Sequence, residues 1–381
     1  MSDSRHGRRK VCFVLPSLGG GGAERSAVQI LNGLDDERWE RWMFLFTREG
    51  PFLSDLSPSI RLADASGSSR RLGRLRALRR FVRRVRPDVV VAFLSYFSVL
   101  CAARAAGVRA RVVFVLGTPL SAFLADTDYR WSRPWNRRTF AAVTRIGCAA
   151  ADLVVTTSRG VADDLVHSFG VGSERVRVVP NPVDLPAIAA AAAEPLDPAH
   201  AAQWTPPVIV AAGRLAEVKN YALLLEALTV LRQRTAARLF ILGQGDQEPA
   251  LRELIEARGL GELVHLCGFQ RNPWKYIARA DVFALTSRYE GFGNVLVEAM
   301  ACGVPVVATS SPGTRDIVSS GADGLLVECH EPTAVAAALE QVLSDDSLRR
   351  RMSETARLHA ERYRTESVAL AYDRVLTEAL A

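Results

Sequence analysis

Lysine is nearly absent from this chain. Only Lys10, Lys219 and Lys275 carry an ammonium group, so arginine supplies most of the positive charge behind a net of +7. A basic balance suits nucleic acid, an anionic membrane surface or a phosphorylated ligand, and does not choose among them. Cysteine is sparse as well. Cys12, Cys101, Cys148, Cys267, Cys302 and Cys329 are scattered and form no C-x-x-C pair, so a zinc site is not expected and the thiols read as reduced, buried and cytosolic. Long hydrophobic runs are missing. The longest, Val89 to Ala103, is interrupted by Ser95, Tyr96 and Ser98. It falls short of the ~20 residues that span a bilayer. The basic start, Arg5 to Lys10, leads into only a short apolar stretch before Pro16 and does not read as a signal peptide. These absences point to a cytoplasmic chain, with any membrane contact peripheral and on the inner face.

What is present is core. With 381 residues, 49% of them apolar, the chain can form two domains, each with its own interior. Strand-like and helix-like segments alternate, which argues for an α/β protein. Strands are expected at 10–18, 42–47, 88–94, 111–117, 152–158 and 175–181. A second series follows at 208–214, 238–243, 264–269, 281–287, 305–309 and 324–328. Between the two series, residues 185–207 are rich in alanine and proline and read as a linker region with a short helix. The expected division is 1–183, 184–365, and a last helix, 366–381, packing back on the first domain. Open sheets of this kind bind ligands beyond the C-terminal ends of their strands, where helix N-termini converge.

Four stretches carry candidate chemistry. Gly19, Gly20, Gly21 and Gly22 join the first strand to a helix and let backbone N–H groups approach an anion. They are not a dinucleotide fingerprint, because the third small residue of G-x-G-x-x-G falls on Glu24 or Arg25. Arg214 and Lys219, five apart after a strand, can clamp a diphosphate, the first as a planar fork and the second as a point charge. Taken alone they read better as surface charges. "LGQGD" at 242–246 places Gly243 in a tight strand-end turn, a weak signal by itself.

The strongest stretch is "SRYEGFGNVLVEAMACGVPVVAT" at 287–309. Gly291 and Gly293 allow a backbone that presents N–H donors, and the helix that follows adds its positive end. Glu298 falls early in that helix, and Glu290 precedes it. Two carboxylates so placed can accept hydrogen bonds from hydroxyls on two parts of one ligand, such as the sugar and the ribose of a nucleotide sugar. The plain alternative is a helix cap with one satisfied buried glutamate.

"GGAER" at 21–25, "NPVD" at 181–184, the G-R-L-x-x-x-K-N of 213–220, and Glu290/Glu298 with "GFGNVLVEAM" occur in that order. Together they resemble the retaining, nucleotide-sugar-dependent glycosyltransferases of the GT-B fold, family 4-like. The likeness spans nearly the whole chain and is tightest over 208–330. It implies two Rossmann-like parallel-sheet domains facing each other across a cleft. It further implies a hexosyl or N-acetylhexosaminyl transferase whose donor substrate is a nucleotide-diphosphate sugar, with no cofactor and no metal.

By that resemblance Arg214 and Lys219 are the diphosphate pair, Glu290 stands near the transferred sugar, and Glu298 binds the ribose. Backbone at Phe292, Gly293, Asn294 and Val295 meets the diphosphate or sugar, and Gly19–Gly22 faces the donor from the first domain. The base, with uridine favoured, lies near Gly268 and Phe269. One departure stands out. Many members carry a histidine after a mid-domain strand of the first half, where this chain has Gly117 and Thr118. Asp126-Thr127-Asp128 mimics the D-x-D metal motif of another transferase fold, but its flanks make a poor strand context, and a metal-free loop is expected.

Residues 70–86 hold nine arginines. Leu72, Leu75, Leu78, Val82 and Val85 recur at helical spacing, so the stretch reads as an amphipathic helix packed on the first sheet. Arg70–Arg86 could also contact anionic lipid head groups, which suits a glycan or polyprenyl-diphosphate-linked acceptor in polysaccharide or lipopolysaccharide synthesis. No nucleic-acid module accompanies it, so no nucleic-acid partner is expected. Two other readings stay open at this level: a sugar-nucleotide epimerase or phosphorylase on the same fold, and a non-catalytic basic module that binds lipid or RNA.

Overall fold

The computed structural model describes residues 8–65, 67, 71–94, 96–125, 134–328 and 331–381. The chain divides into two compact units. One is Met1–Pro182 with Thr365–Ala381, and the other is Val183–Arg364.

The first unit contains β1 (Arg9–Leu15), β2 (Trp39–Leu45), β3 (Arg61–Asp64), β4 (Val89–Phe93), β5 (Arg111–Leu116), β6 (Leu153–Thr156) and β7 (Val176–Val178). They form one parallel sheet in the order β3-β2-β1-β4-β5-β6-β7. The strands read as unbroken apolar runs because both faces are covered. Val11, Phe13 and Leu15 enter one core, while Cys12 and Val14 enter the other. β3 was not expected from the sequence. Its four residues, Arg-Leu-Ala-Asp, pair with β2 at the sheet edge, where no double apolar covering is required.

The C-terminal helix Thr365–Leu380 belongs to this unit, burying Val368, Tyr372, Val375 and Leu376 in the β1 core. Trp39 Nε1 donates to Asp373 Oδ1 at 2.6 Å, and ion pairs link Arg38 to Asp373 and Arg177 to Glu378. The arginine-rich segment forms the helix Arg71–Val85. Its buried face is Leu78, Phe81, Val82 and Val85, whereas Leu72 is 69% exposed. The expected apolar stripe therefore begins a turn too early: the first turn lies outside the core, and Phe81 supplies the width instead.

The second unit contains β8 (Val208–Ala212), β9 (Arg238–Leu242), β10 (Val264–Leu266), β11 (Val282–Leu285), β12 (Val306–Thr309) and β13 (Gly324–Val327). Its parallel order is β10-β9-β8-β11-β12-β13. This is the 3-2-1-4-5-6 order of a doubly wound sheet, and it reverses between β8 and β11. Ligands of such sheets bind at that reversal, beyond the carboxyl ends of the two strands. The alanine-rich stretch is helical at Leu185–Ala192 and buries Ile188.

Cysteine burial is uneven. Cys12 and Cys148 are buried and Cys267 and Cys302 partly so, but Cys101 is exposed, against expectation. It sits on the helix Tyr96–Ala105, whose core-facing positions are Val99, Ala102 and Ala103. Burial pushes the Cys148 thiol up to about 11 and those of Cys267 and Cys302 up to about 12. These three stay protonated near neutrality.

Candidate active site

Two loops leave the second sheet at its reversal. One follows β8 through Gly213, Arg214 and the turn Glu217–Lys219, and the other follows β11 through Thr286 to Gly293. They are laced together. Arg288 N donates to Val218 O at 2.8 Å, Thr286 Oγ1 donates to Asn220 O at 3.0 Å, and Arg288 pairs with Glu217. Cross-bracing of this kind holds the side chains between the loops in place.

Lys219 and Glu290 meet at the centre of that brace. Lys219 Nζ donates to Glu290 Oε1 at 2.6 Å, with the side chains only 22% and 13% exposed. Ser287 Oγ donates to the same oxygen at 2.7 Å. Both bonds land on Oε1, and Glu290 Oε2 makes none. Arg214 is exposed, and among the described residues its side chain has no ion-pair or hydrogen-bond partner, so its five donors are uncommitted. A partly enclosed carboxylate with one oxygen uncommitted, bonded to one cation whose loop carries a second, can receive an anion and a neighbouring hydroxyl together.

The second loop ends at Gly293, whose φ of 92° and ψ of 57° suit glycine alone without strain. The helix Asn294–Ala301 starts there with no side-chain cap. Its first turn carries a partial positive charge. Asn294 and Val295 on that turn are partly exposed. Phe292 is not: 4% exposed, its ring packs edge-on against Tyr363 at 5.4 Å, so only its backbone can meet a ligand. Behind the loop, Gly313 N donates to Glu290 O at 3.0 Å. A Cβ on Gly313 would stand 2.5 Å from Gly291 C and 2.6 Å from Phe292 N, so only glycine lets the two backbones touch.

Glu298 lies one turn into the helix and is 8% exposed. Trp274 Nε1 donates to its Oε2 at 3.0 Å, and Asn272 Oδ1 accepts from Trp274 N at 3.1 Å. Helical side chains lean toward the N-terminus, which directs this carboxylate to the loop end. The ends of β9 and β10 close the row. Gly243 N donates to Gly268 O at 2.8 Å, and a Cβ on Gly243 would collide with Gly213 O. Phe269, next in line, is 66% exposed. Arg214, Lys219, Gly243, Gly268, Phe269, Glu290 and the 291–298 segment are thus all at the carboxyl edge of one sheet. The sequence did not single out Ser287, Trp274 or Gly313. Ser287, three residues before Glu290, had a local signal; the others had none.

In the first unit, Gly19–Gly22 follow β1 as an exposed loop. The Glu24 carboxyl group folds back over Gly21, which caps the helix Gly22–Gly33. The positive end of that helix is thus already faced by a carboxylate of its own first turn. Gly117 and Thr118 stand exposed after β5, and His167, the one histidine described in this unit, bonds Asp163 O on its own helix. Leu94 ends β4 with φ at 61° and is 51% exposed. The Asp126-Thr127-Asp128 stretch lies outside the described residues. Among the described residues no cluster of three or more His, Cys, Asp or Glu is placed to hold a metal ion.

The family model for glycosyl transferases group 1 matches residues 194–359, and that for glycosyltransferase family 4 matches residues 20–186. The N-acetylgalactosamine-N,N'-diacetylbacillosaminyl-diphospho-undecaprenol 4-alpha-N-acetylgalactosaminyltransferase of Campylobacter jejuni is 35% identical over 220 residues, 58% of this chain and 58% of that protein. A D-inositol 3-phosphate glycosyltransferase of Xylanimonas cellulosilytica is also 35% identical. The chain thus spans little more than half the length of these two relatives, 58% and 56%. The lipopolysaccharide core biosynthesis glycosyltransferase LpsE of Rhizobium meliloti is 28% identical over 88% of this chain and 89% of its own.

Among solved structures, Anabaena HepE in complex with UDP and glucose superposes with a TM-score of 0.79 at 22% identity, covering 97% of this chain and 100% of that one. Sucrose-phosphate synthase from Thermosynechococcus elongatus gives 0.81 at 20%, covering 97% and 99%. These likenesses concern the fold, which is the two-domain, parallel-sheet GT-B architecture expected from the sequence.

Proposed function

This chain belongs to the glycosyltransferases of group 1 and family 4, and we propose that it moves a hexosyl or N-acetylhexosaminyl unit, with retention, from a nucleotide-diphosphate sugar to an acceptor hydroxyl. The observation that carries the reading is the Lys219–Glu290 pair beside unpaired Arg214 at the reversal of the second sheet. In this reading Arg214 and Lys219 grip the diphosphate, aided by backbone N–H groups of Gly293, Asn294 and Val295. Glu290 Oε2 accepts a hydroxyl of the transferred sugar, Glu298 accepts the ribose hydroxyls, and the base lies along Gly268 and Phe269.

The step breaks the bond between the anomeric carbon and the diphosphate oxygen. The acceptor oxygen bonds that carbon from the same face, and its proton passes to the departing phosphate oxygen. Charge growing on the diphosphate is offset by Arg214, Lys219 and the positive end of the helix Asn294–Ala301, a role a divalent cation fills elsewhere.

UDP is the favoured carrier, in keeping with the UDP bound to HepE. The acceptor we favour is a growing glycan, free or on a polyprenyl diphosphate, by analogy with the names of the Campylobacter and Rhizobium relatives. Arg76, Arg79, Arg80, Arg83 and Arg84 are exposed along one helix, which supports docking on an anionic membrane surface. Among the described residues no helix is long and apolar enough to cross a membrane.

A thermal-shift panel of UDP, GDP and ADP with their sugars identifies the carrier. Transfer is then followed with and without a chelator. Activity lost to the chelator and restored by manganese would overturn the metal-free step, and isomerised donor without transfer would overturn the reaction.

A further inference from the structure

Tyr221 opens the helix Tyr221–Leu231, two residues after Lys219. Its ring belongs to the core and is 5% exposed. Its hydroxyl oxygen is enclosed and has no hydrogen-bond partner. The place is informative. A Cβ on Gly213 would lie 3.2 Å from the Tyr221 hydroxyl and 3.5 Å from Lys219 Cε, so the hydroxyl and the lysine stem both flank Gly213 at the end of β8. The phenol's pKa is raised, first by burial and then by the Glu290 charge, which puts that carboxylate within its electrostatic reach. Buried hydroxyls are almost always paired, because an unmade bond there destabilises the fold. Phenylalanine would fill the same volume without that penalty, so the hydroxyl belongs to a second arrangement of the site.

We propose that Tyr221 is the alternate partner of Glu290: as a diphosphate draws Lys219 Nζ away, the tyrosine hydroxyl donates to Glu290 Oε1 in its place. The carboxylate then keeps its position and stays compensated while its other oxygen holds the sugar. Tyr221 is in this sense a positioning residue, and the inference rests on the glycosyltransferase reading.

The test uses the full chain, Tyr221→Phe, in wild-type and Glu290→Gln backgrounds, with thermal denaturation and calorimetric titration of UDP, GDP and ADP. The variant is expected to melt at or above the wild-type temperature and to lose about tenfold in affinity for the diphosphate that binds. In the Glu290→Gln background the further loss should largely vanish, since no charge remains to be held. A lowered melting temperature with the same loss in both backgrounds would make the hydroxyl structural and overturn the inference. Unchanged affinity in Tyr221→Phe would overturn it alone. A wild-type chain that binds none of the three diphosphates removes the glycosyltransferase reading and the inference with it.

Discussion

Lys219 and Glu290 stand 71 residues apart in the chain and 2.6 Å apart in the fold. The pair closes the gap between the loops after β8 and β11, and its partial burial makes it stronger than an exposed ion pair. Lys219→Met leaves Glu290 in an enclosed place without its cation, with only the neutral hydroxyls of Ser287 and Tyr221 to compensate it. Unfolding free energy should fall by about 1–3 kcal/mol. Transfer should fall by at least ~100-fold, read as kcat/KM for the donor. Glu290→Gln keeps volume and an acceptor, so it should melt near wild type while losing comparable activity.

Arg214 separates binding from stability. Its side chain is exposed and has no partner among the described residues, so Arg214→Ala should leave the melting temperature unchanged. Diphosphate affinity should drop roughly tenfold, and Arg214→Lys should recover only part of it because the planar fork is lost. A destabilised Arg214→Ala with normal affinity would show a structural residue.

Gly313 touches no ligand in the proposed arrangement, yet its Cα abuts the backbone of Gly291 and Phe292. Gly313→Ala forces backbone against backbone and should destabilise by about 1–3 kcal/mol. It should also raise KM for the donor more than it lowers kcat, because it displaces the loop that frames the binding helix.

His265 sets an acid-side signature. Its Nε2 is enclosed without a partner and its ring stacks on Phe240 at 4.6 Å. Burial, then Arg238 and His200, lower its pKa from 6.5. The unfolded imidazole thus takes up a proton at a higher pH than the folded one. The associated stability is fully present above 6.5 and is lost as pH falls toward the depressed folded value. In denaturant titrations between pH 7 and pH 5, His265→Gln should lose less stability than wild type, by a few tenths of a kcal/mol after solvent screening.

The helix Arg71–Val85 offers a salt-sensitive surface. Sedimentation with phosphatidylglycerol vesicles should fall as salt rises and should drop strongly when Arg76, Arg80 and Arg83 are replaced by Gln, at about 1 kcal/mol per charge. Binding unchanged by the triple substitution would remove this helix from membrane docking.

Much of the architecture is legible in local pattern. Consecutive apolar residues in "VCFVL" or "VIVAA" mark strands covered on both faces, and twelve of the thirteen strands among the described residues overlap segments expected from the sequence. The exception, β3, is short, polar at both ends and on an edge. Several expected strands run past their true ends, as at 10–18 against Arg9–Leu15 and 281–287 against Val282–Leu285. In these two the longer overshoot is at the carboxyl end. Residues such as Pro16 to Leu18 or Thr286 and Ser287 are apolar or small, yet they leave the ladder there to build the loops after β1 and β11.

The sequence by itself determined that two parallel-sheet units form, and that glycine-punctuated loops with Arg214, Lys219, Glu290 and Glu298 end the strands of the second. Apolar periodicity and turn chemistry are local properties, and they suffice for that. Tertiary structure alone decided that Lys219 bonds Glu290 Oε1, that Trp274 holds Glu298, that Gly313 backs the loop and that Tyr221 is left unpaired. Those outcomes depend on strand order and on ångström-scale approach between segments far apart in the chain, and no spacing rule carries either.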